Sequence, residues 1–268
     1  MRVLVHLRAR ADTTYQNDYH HKLRGRIWNA LEGTEHEAVH DTNEPPGFSF
    51  SNPFPPQDMS EGDQRTLIVS APQEELLSVI ATDLQENPEL NVGEMPFTVQ
   101  GLSAITPDVG EPGSSGTIGT GTGLLVRIPP WRCEDYGIDN PGEEAVYWRP
   151  EHTIEPLREQ LEANLDKKYS LFGPEYLPGP SETNGDLFDG YELLKTFAVP
   201  LQVTTDQRLT YVLSKWQFDY TVRNDDHRRH LNLALDCGLG ERNALGLGFC
   251  NLTEKRDPYG KPAPEVHG

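Results

Sequence analysis

DHRRHLNLALDCGLGERNALGLGFCNL, residues 226–252, carries three patterns in succession. Residues 226–238 read as an amphipathic helix that Gly238 can end in the left-handed position, and residues 246–252 read as a strand. Between them, four glycines form two G-x-G pairs: Gly238 with Gly240, and Gly246 with Gly248. Glycine lets a backbone take positive φ and lie close to a neighbour, so such a loop either packs tightly on protein or turns its N–H groups toward an anion. Arg242 at the centre of the loop, and the HRRH run in the preceding helix, favour a polyanion.

Upstream of this stretch, LLKTFAVPLQVT and LTYVLSKWQFDYT read as two long strands around the turn Thr205-Asp206-Gln207. TIEPLREQLEANLDKKY (153–169) reads as a helix with Leu157, Leu161 and Leu165 four apart, and LLVRIPP (124–130) as a strand before it. The order is βαββαβ. It also describes residues 1–105, with strands at 2–10, 47–54, 65–72 and 95–105 and helices at 20–31 and 73–85. The fold class expected is therefore α+β, with tandem ferredoxin-like (RRM-like) βαββαβ domains. The expected bounds are an N-terminal domain at 1–107, a Gly/Ser/Thr-rich connection at 108–120, a C-terminal domain at 121–253 and a polar tail at 254–268. The G-T-G-T-G of the connection follows no nucleotide-binding pattern, so it reads as linker or hairpin.

The chain has 23 Lys and Arg against 42 Asp and Glu, a formal net charge of -19. Acidity spread evenly over 268 residues, with only seven lysines, suits a surface working in high salt, where screening shortens to about 3 Å at 1 M. Net charge then says little about partners. Local islands say more: Lys22, Arg24 and Arg26 lie in an acid-free helix, and Arg242 with HRRH forms another. Cys133, Cys237 and Cys250 form neither a disulfide framework nor a C-x-x-C pair, which suits a reducing cytoplasm. No apolar run approaches the roughly 18 residues of a membrane span, so no membrane association is expected. His40 lies in a loop with no core to fill, and imidazole suits proton transfer near neutrality. His36 and His40 find no third ligand at a convincing spacing, so neither a metal nor another cofactor is expected.

These residues together resemble the CRISPR-associated endoribonucleases that cut precursor CRISPR RNA within its repeats, members of the RAMP superfamily. The G-h-G, five residues, G-h-G loop is that family's C-terminal signature. His40, shortly before Phe48-Ser49-Phe50-Ser51, matches the placement of its catalytic histidine, and NLDKKY (164–169) resembles a helix end of its second domain. The resemblance covers residues 1 to about 253. It implies metal-independent cleavage: the 2′-hydroxyl attacks the adjacent phosphate, leaving a 2′,3′-cyclic phosphate and a 5′-hydroxyl, with His40 moving the proton. It further implies that Lys22, Arg24, Arg26, Gly238, Gly240, Arg242, Gly246 and Gly248 bind precursor CRISPR RNA repeats, and it leaves room for other subunits of a CRISPR surveillance complex as partners. A non-catalytic RNA-binding subunit of the same superfamily is the alternative. Several family members have a lysine soon after the histidine. Here Asp41, Glu44 and two prolines follow, so a partner for His40 is left open among Tyr19, His20, His21, Lys22, Arg24 and Arg26.

Overall fold

A computed structural model describes residues 1–34, 36–37, 45–140, 142, 144–172, 186–204 and 207–262. The N-terminal half contains β1 (Arg2–Ala9), α1 (His20–Leu31), β2 (Ser49–Phe50), β3 (Gln64–Ser70), α2 (Glu74–Glu86), β4 (Glu89–Val92) and β5 (Met95–Ile105). Alternation in β1 sends Val3, Val5, Leu7 and Ala9 into a core shared with Leu23, Ile27 and Leu31 of α1 and Leu77, Ile80 and Leu84 of α2. The antiparallel sheet runs β2-β3-β1-β5-β4. The first strand thus lies between the third and the last of the βαββαβ unit, as in a ferredoxin-like domain. β4 is an added edge strand, joined to β5 by the two-residue turn Gly93-Glu94.

The C-terminal half contains β6 (Ser115–Thr120), β7 (Arg127–Ile128), α3 (Pro130–Cys133), β8 (Val146–Tyr147), α4 (Glu155–Phe172), β9 (Gly190–Thr204), β10 (Gln207–Thr221), α5 (Asp225–Cys237) and β11 (Cys250–Arg256). Its principal sheet runs β11-β6-β10-β9, the same order as in the first half. Asn224 caps α5, its side-chain oxygen accepting from His227 N at 2.8 Å, and Asp225 and Asp226 favour the positive end of the helix dipole. Leu157, Leu161 and Leu165 of α4 and Leu231, Ala234 and Leu235 of α5 meet Trp216, Phe218 and Tyr220 of β10 in the second core.

Several expectations need correction. The opening strand of the second unit is β6, inside the expected connection 108–120, while LLVRIPP supplies only the two residues of β7, paired with β8. Low strand propensity hides β6, but the glycines answer a packing need: a Cβ on Gly116 would lie 2.1 Å from Glu254 O and 2.7 Å from the Tyr220 hydroxyl. The start of the connection is fixed as well, because Arg228 Nη2 and Asn232 Nδ2 each donate at 2.8 Å to the Asp108 carboxylate and Lys255 Nζ donates to Asp108 O. The strand expected at 47–54 shrinks to Ser49–Phe50, because Pro53, Pro55 and Pro56 cannot donate to a ladder. The last strand begins at Cys250 and runs to Arg256, past the expected start of the tail at 254, and Arg256 also bridges to Pro262.

Candidate nucleic-acid interface

The glycine loop leaves α5 at Cys237 and reaches β11 at Cys250 through a 3₁₀ turn at Asn243–Leu245. All four glycines have positive φ, between 63° and 78°, and all are buried. Their close neighbours are protein. A Cβ on Gly248 would lie 2.0 Å from Leu239 O, on Gly240 2.4 Å from Leu125 O, and on Gly246 2.3 Å from the Phe50 ring. Gly238 N–H donates to Ala234 O, Gly246 N–H to Asn243 O and Gly248 N–H to Gly123 O. Asn243 Nδ2 braces the loop from within, donating to Leu239 O and Leu247 O at 2.9 Å each. Three of the expected backbone donors are therefore already spent on carbonyls. The glycines shape the loop, and Arg242 is what it presents: exposed, at φ 59° and ψ 35°, in the left-handed region that side chains avoid.

Beside the loop, the two halves enclose a cleft of about 560 Å³. Arg24 and Trp28 of α1, Pro45–Phe48, Lys167, Lys168 and Phe172 of α4, and Gly240–Leu245 line it. α1 is tied to the loop through His20, whose Nδ1 lies 2.6 Å from Leu245 O, and to the β9–β10 hairpin through Arg24 Nη2, which donates to Val203 O at 2.9 Å. The Trp28 and Phe48 rings meet edge to face at 5.5 Å, and Gly47 lies against the Phe172 ring, so residues of both halves clasp the segment just after the stretch that contains His40. His40 lies outside the described residues.

The basic islands separate once folded. Lys22 pairs with Glu94 of the β4–β5 turn and Arg26 with Asp83 of α2, acids that sequence distance concealed. In HRRH, His227 and His230 are fully buried; the His227 ring meets Leu187 O at 2.9 Å and the His230 ring meets Asp226 O at 2.8 Å, while Arg228 is committed to Asp108. This run serves the core and the connection rather than the cleft. Arg24 and Arg242 remain as neighbours without an ion pair among the described residues: burial lowers the Arg24 guanidinium from its ordinary pKa, and the charge of Arg242 lowers it further. Among the described residues Glu241 is the acid lining this cleft, and it is held by Arg127, with Nε to Oε2 at 2.8 Å. Two guanidinium groups without an ion pair among the described residues, with Lys167 at the same cleft, give it a positive field of the kind that suits a polyanion. Sequence reasoning did not single out Lys167, Lys168, Arg127 or Asn243. The NLDKKY stretch was the available signal for the two lysines.

Residues 128–252 match the family model described as CRISPR associated protein Cas6, C-terminal. A CRISPR-associated endoribonuclease Cas6 from Haloferax mediterranei is 54% identical over 258 residues, covering 96% of each chain. This chain belongs to the Cas6 family. A second Cas6 endoribonuclease, from Methanocaldococcus jannaschii, is 25% identical over 256 residues, 94% of this chain and 99% of its own. Among solved structures, one described as CRISPR associated protein Cas6 superposes with a TM-score of 0.67 at 18% identity, covering 95% of this chain and 99% of the other. The architecture of this chain is thus shared with a solved Cas6 structure at low identity. Among the described residues no helix is long and apolar enough to cross a membrane, and no group of three or more metal-ligating side chains gathers, at the Cas6 cleft or elsewhere.

Proposed function

We propose that this chain is an endoribonuclease that cleaves precursor CRISPR RNA within its repeats, using the cleft between its two ferredoxin-like halves. The observation that carries the reading is the pair Arg24 and Arg242, without an ion pair among the described residues, at a cleft whose rim includes Pro45–Phe48. His40 stands five residues before Pro45 in the sequence. In this reading the 2′-hydroxyl before the scissile phosphate attacks in line, and the P–O5′ bond breaks. The products are a 2′,3′-cyclic phosphate and a 5′-hydroxyl. His40 takes the proton from the nucleophile or gives one to the leaving oxygen, a contribution of about 10²- to 10⁴-fold. Arg24 and Arg242 hold the phosphate and offset the charge that builds on the phosphorane. Lys22 and Arg26, each already paired with an acid, add to the field rather than grip RNA, and Gly238, Gly240, Gly246 and Gly248 act by shaping the loop that presents Arg242. The activity belongs in the cytoplasm, where other subunits of a surveillance complex could receive the product.

The test is product analysis on labelled repeat RNA in high salt, with and without chelator. Wild-type protein should yield two fragments in both conditions. His40→Ala should bind the same RNA and leave it intact, and a repeat RNA with a 2′-deoxy sugar before the scissile phosphate should bind and resist cutting. Normal cleavage by His40→Ala, or of the deoxy substrate, removes the assignment, and binding without any cleavage by wild type would make the chain a non-catalytic RNA-binding subunit.

A further inference from the structure

Lys168 of α4 is 2% exposed, yet it lines the cleft. Its Nζ donates to Gly238 O at 2.7 Å and to Gly240 O at 2.9 Å. An ammonium has three N–H donors, and among the described residues nothing accepts the third. No carboxylate pairs with this charge among those residues. Burial consequently pulls the Lys168 pKa from 10.5 down to about 8.

Among the described residues, the groups facing it do not supply a counter-charge. Burial pushes the thiol of Cys237, at the end of α5, up to about 12 and that of Cys250, on β11, up to about 11, so both stay neutral near pH 8. Glu241 on the loop attracts the ammonium but is committed to Arg127. His20 on α1 has a lowered pKa, chiefly from burial, and bonds to Leu245 O. Arg24, Lys167 and Arg242, which border the same cleft, are cations. A lysine needed only to brace two carbonyls would lie poorly here, since a buried cation is costly unless something anionic completes its shell.

We propose that Lys168 is a phosphate-binding residue, its third N–H donating to a non-bridging oxygen of an RNA phosphate seated over the glycine loop beside Arg24 and Arg242. The inference rests on the reading of the cleft as an RNA site. It makes α4 the third element, with α1 and the loop, that grips the substrate backbone. The loop then does more than present Arg242, because the carbonyls of Gly238 and Gly240 aim the ammonium that the phosphate meets.

The test uses the full chain and a repeat RNA blocked by one 2′-deoxy sugar, with affinity measured over a range of salt. For single-stranded nucleic acid, each phosphate contact adds about 0.7 to the slope of log affinity against log salt. Lys168→Met and Lys168→Gln should each lower that slope by about 0.7 and weaken binding about tenfold at fixed salt. The amide of the Gln variant can still brace a carbonyl, so a purely structural role would leave its slope unchanged. An unchanged slope in either variant, with the fold intact by circular dichroism, overturns the proposal. Wild-type protein supplies a measurement that survives misfolding of both variants: its affinity should fall as pH rises from 7 through about 8 to 9.5, and a flat profile overturns the proposal. Wild type that neither binds nor cuts repeat RNA defeats the underlying reading instead, whereas normal wild-type cleavage with an unchanged slope in the Gln variant defeats only the role of Lys168.

Discussion

Gly246 in the C-terminal half and Phe50 in the N-terminal half are in such close contact that a Cβ on the glycine would lie 2.3 Å from the Phe50 ring. The relationship joins the glycine loop to the strand of the F-x-F-S stretch, two features more than 190 residues apart in sequence. Gly246→Ala adds left-handed strain, roughly 1–2 kcal/mol, and overpacking of about 1–3 kcal/mol. Thermal melting should show a clear loss of stability. In a Phe50→Ala background the ring is gone, so the same substitution should cost only its backbone strain. Equal costs in the two backgrounds would show that the ring is not what excludes a side chain at Gly246.

Arg242 separates stability from binding. Its φ of 59° is strained for any residue with a Cβ. Arg242→Gly should therefore melt at the same temperature as wild type or higher, a gain of up to about 1 kcal/mol, while its affinity for repeat RNA drops by about tenfold. Wild-type affinity in the glycine variant would remove Arg242 from the RNA site.

Acid should reveal the clamp on Asp108. Burial alone would raise this carboxyl, but hydrogen bonds from Arg228 and Asn232 outweigh it and bring the pKa to about 2. A depressed folded pKa adds stability that is in place above the unfolded value near 4 and is lost as pH falls through about 2. The melting temperature of Asp108→Asn should lie below that of wild type at pH 5, and the gap should close between pH 4 and pH 2. A gap that stays constant over that window would show that the ionised carboxylate contributes nothing.

Both βαββαβ units were legible because their helices keep four-residue spacings such as Leu157, Leu161 and Leu165, and because strands such as β10 carry β-branched and aromatic side chains. β6 was not legible. Gly116 and Gly119 stand where neighbouring chains leave no room for a side chain, and that requirement comes from β10 and β11 rather than from β6 itself. The site divides in the same way. The loop motif and Arg242 could be read locally, but the neutralisation of Lys22 by Glu94 and of Arg26 by Asp83, and the burial of His227 and His230, depend on partners that only the tertiary fold brings near. Lys168 was hidden for the opposite reason: a lysine near the end of an amphipathic helix reads as solvent-facing, and here it is buried with its ammonium against two loop carbonyls.

Arg2 fastens the first half to the second. From the central strand of the first sheet, its guanidinium reaches Leu235 O, Cys250 O and Asn251 Oδ1 at 2.5–2.8 Å and lies 4.8 Å from the centroid of the Phe249 ring, so it is buried almost wholly among residues of the other half. Cutting the chain between the halves would strand that cation without acceptors on one side and leave bare carbonyls at Leu235 and Cys250, on either flank of the glycine loop, on the other. The two repeats are consequently one cooperative folding unit, and half of the chain expressed alone would lack the ground on which its own end of the cleft is built.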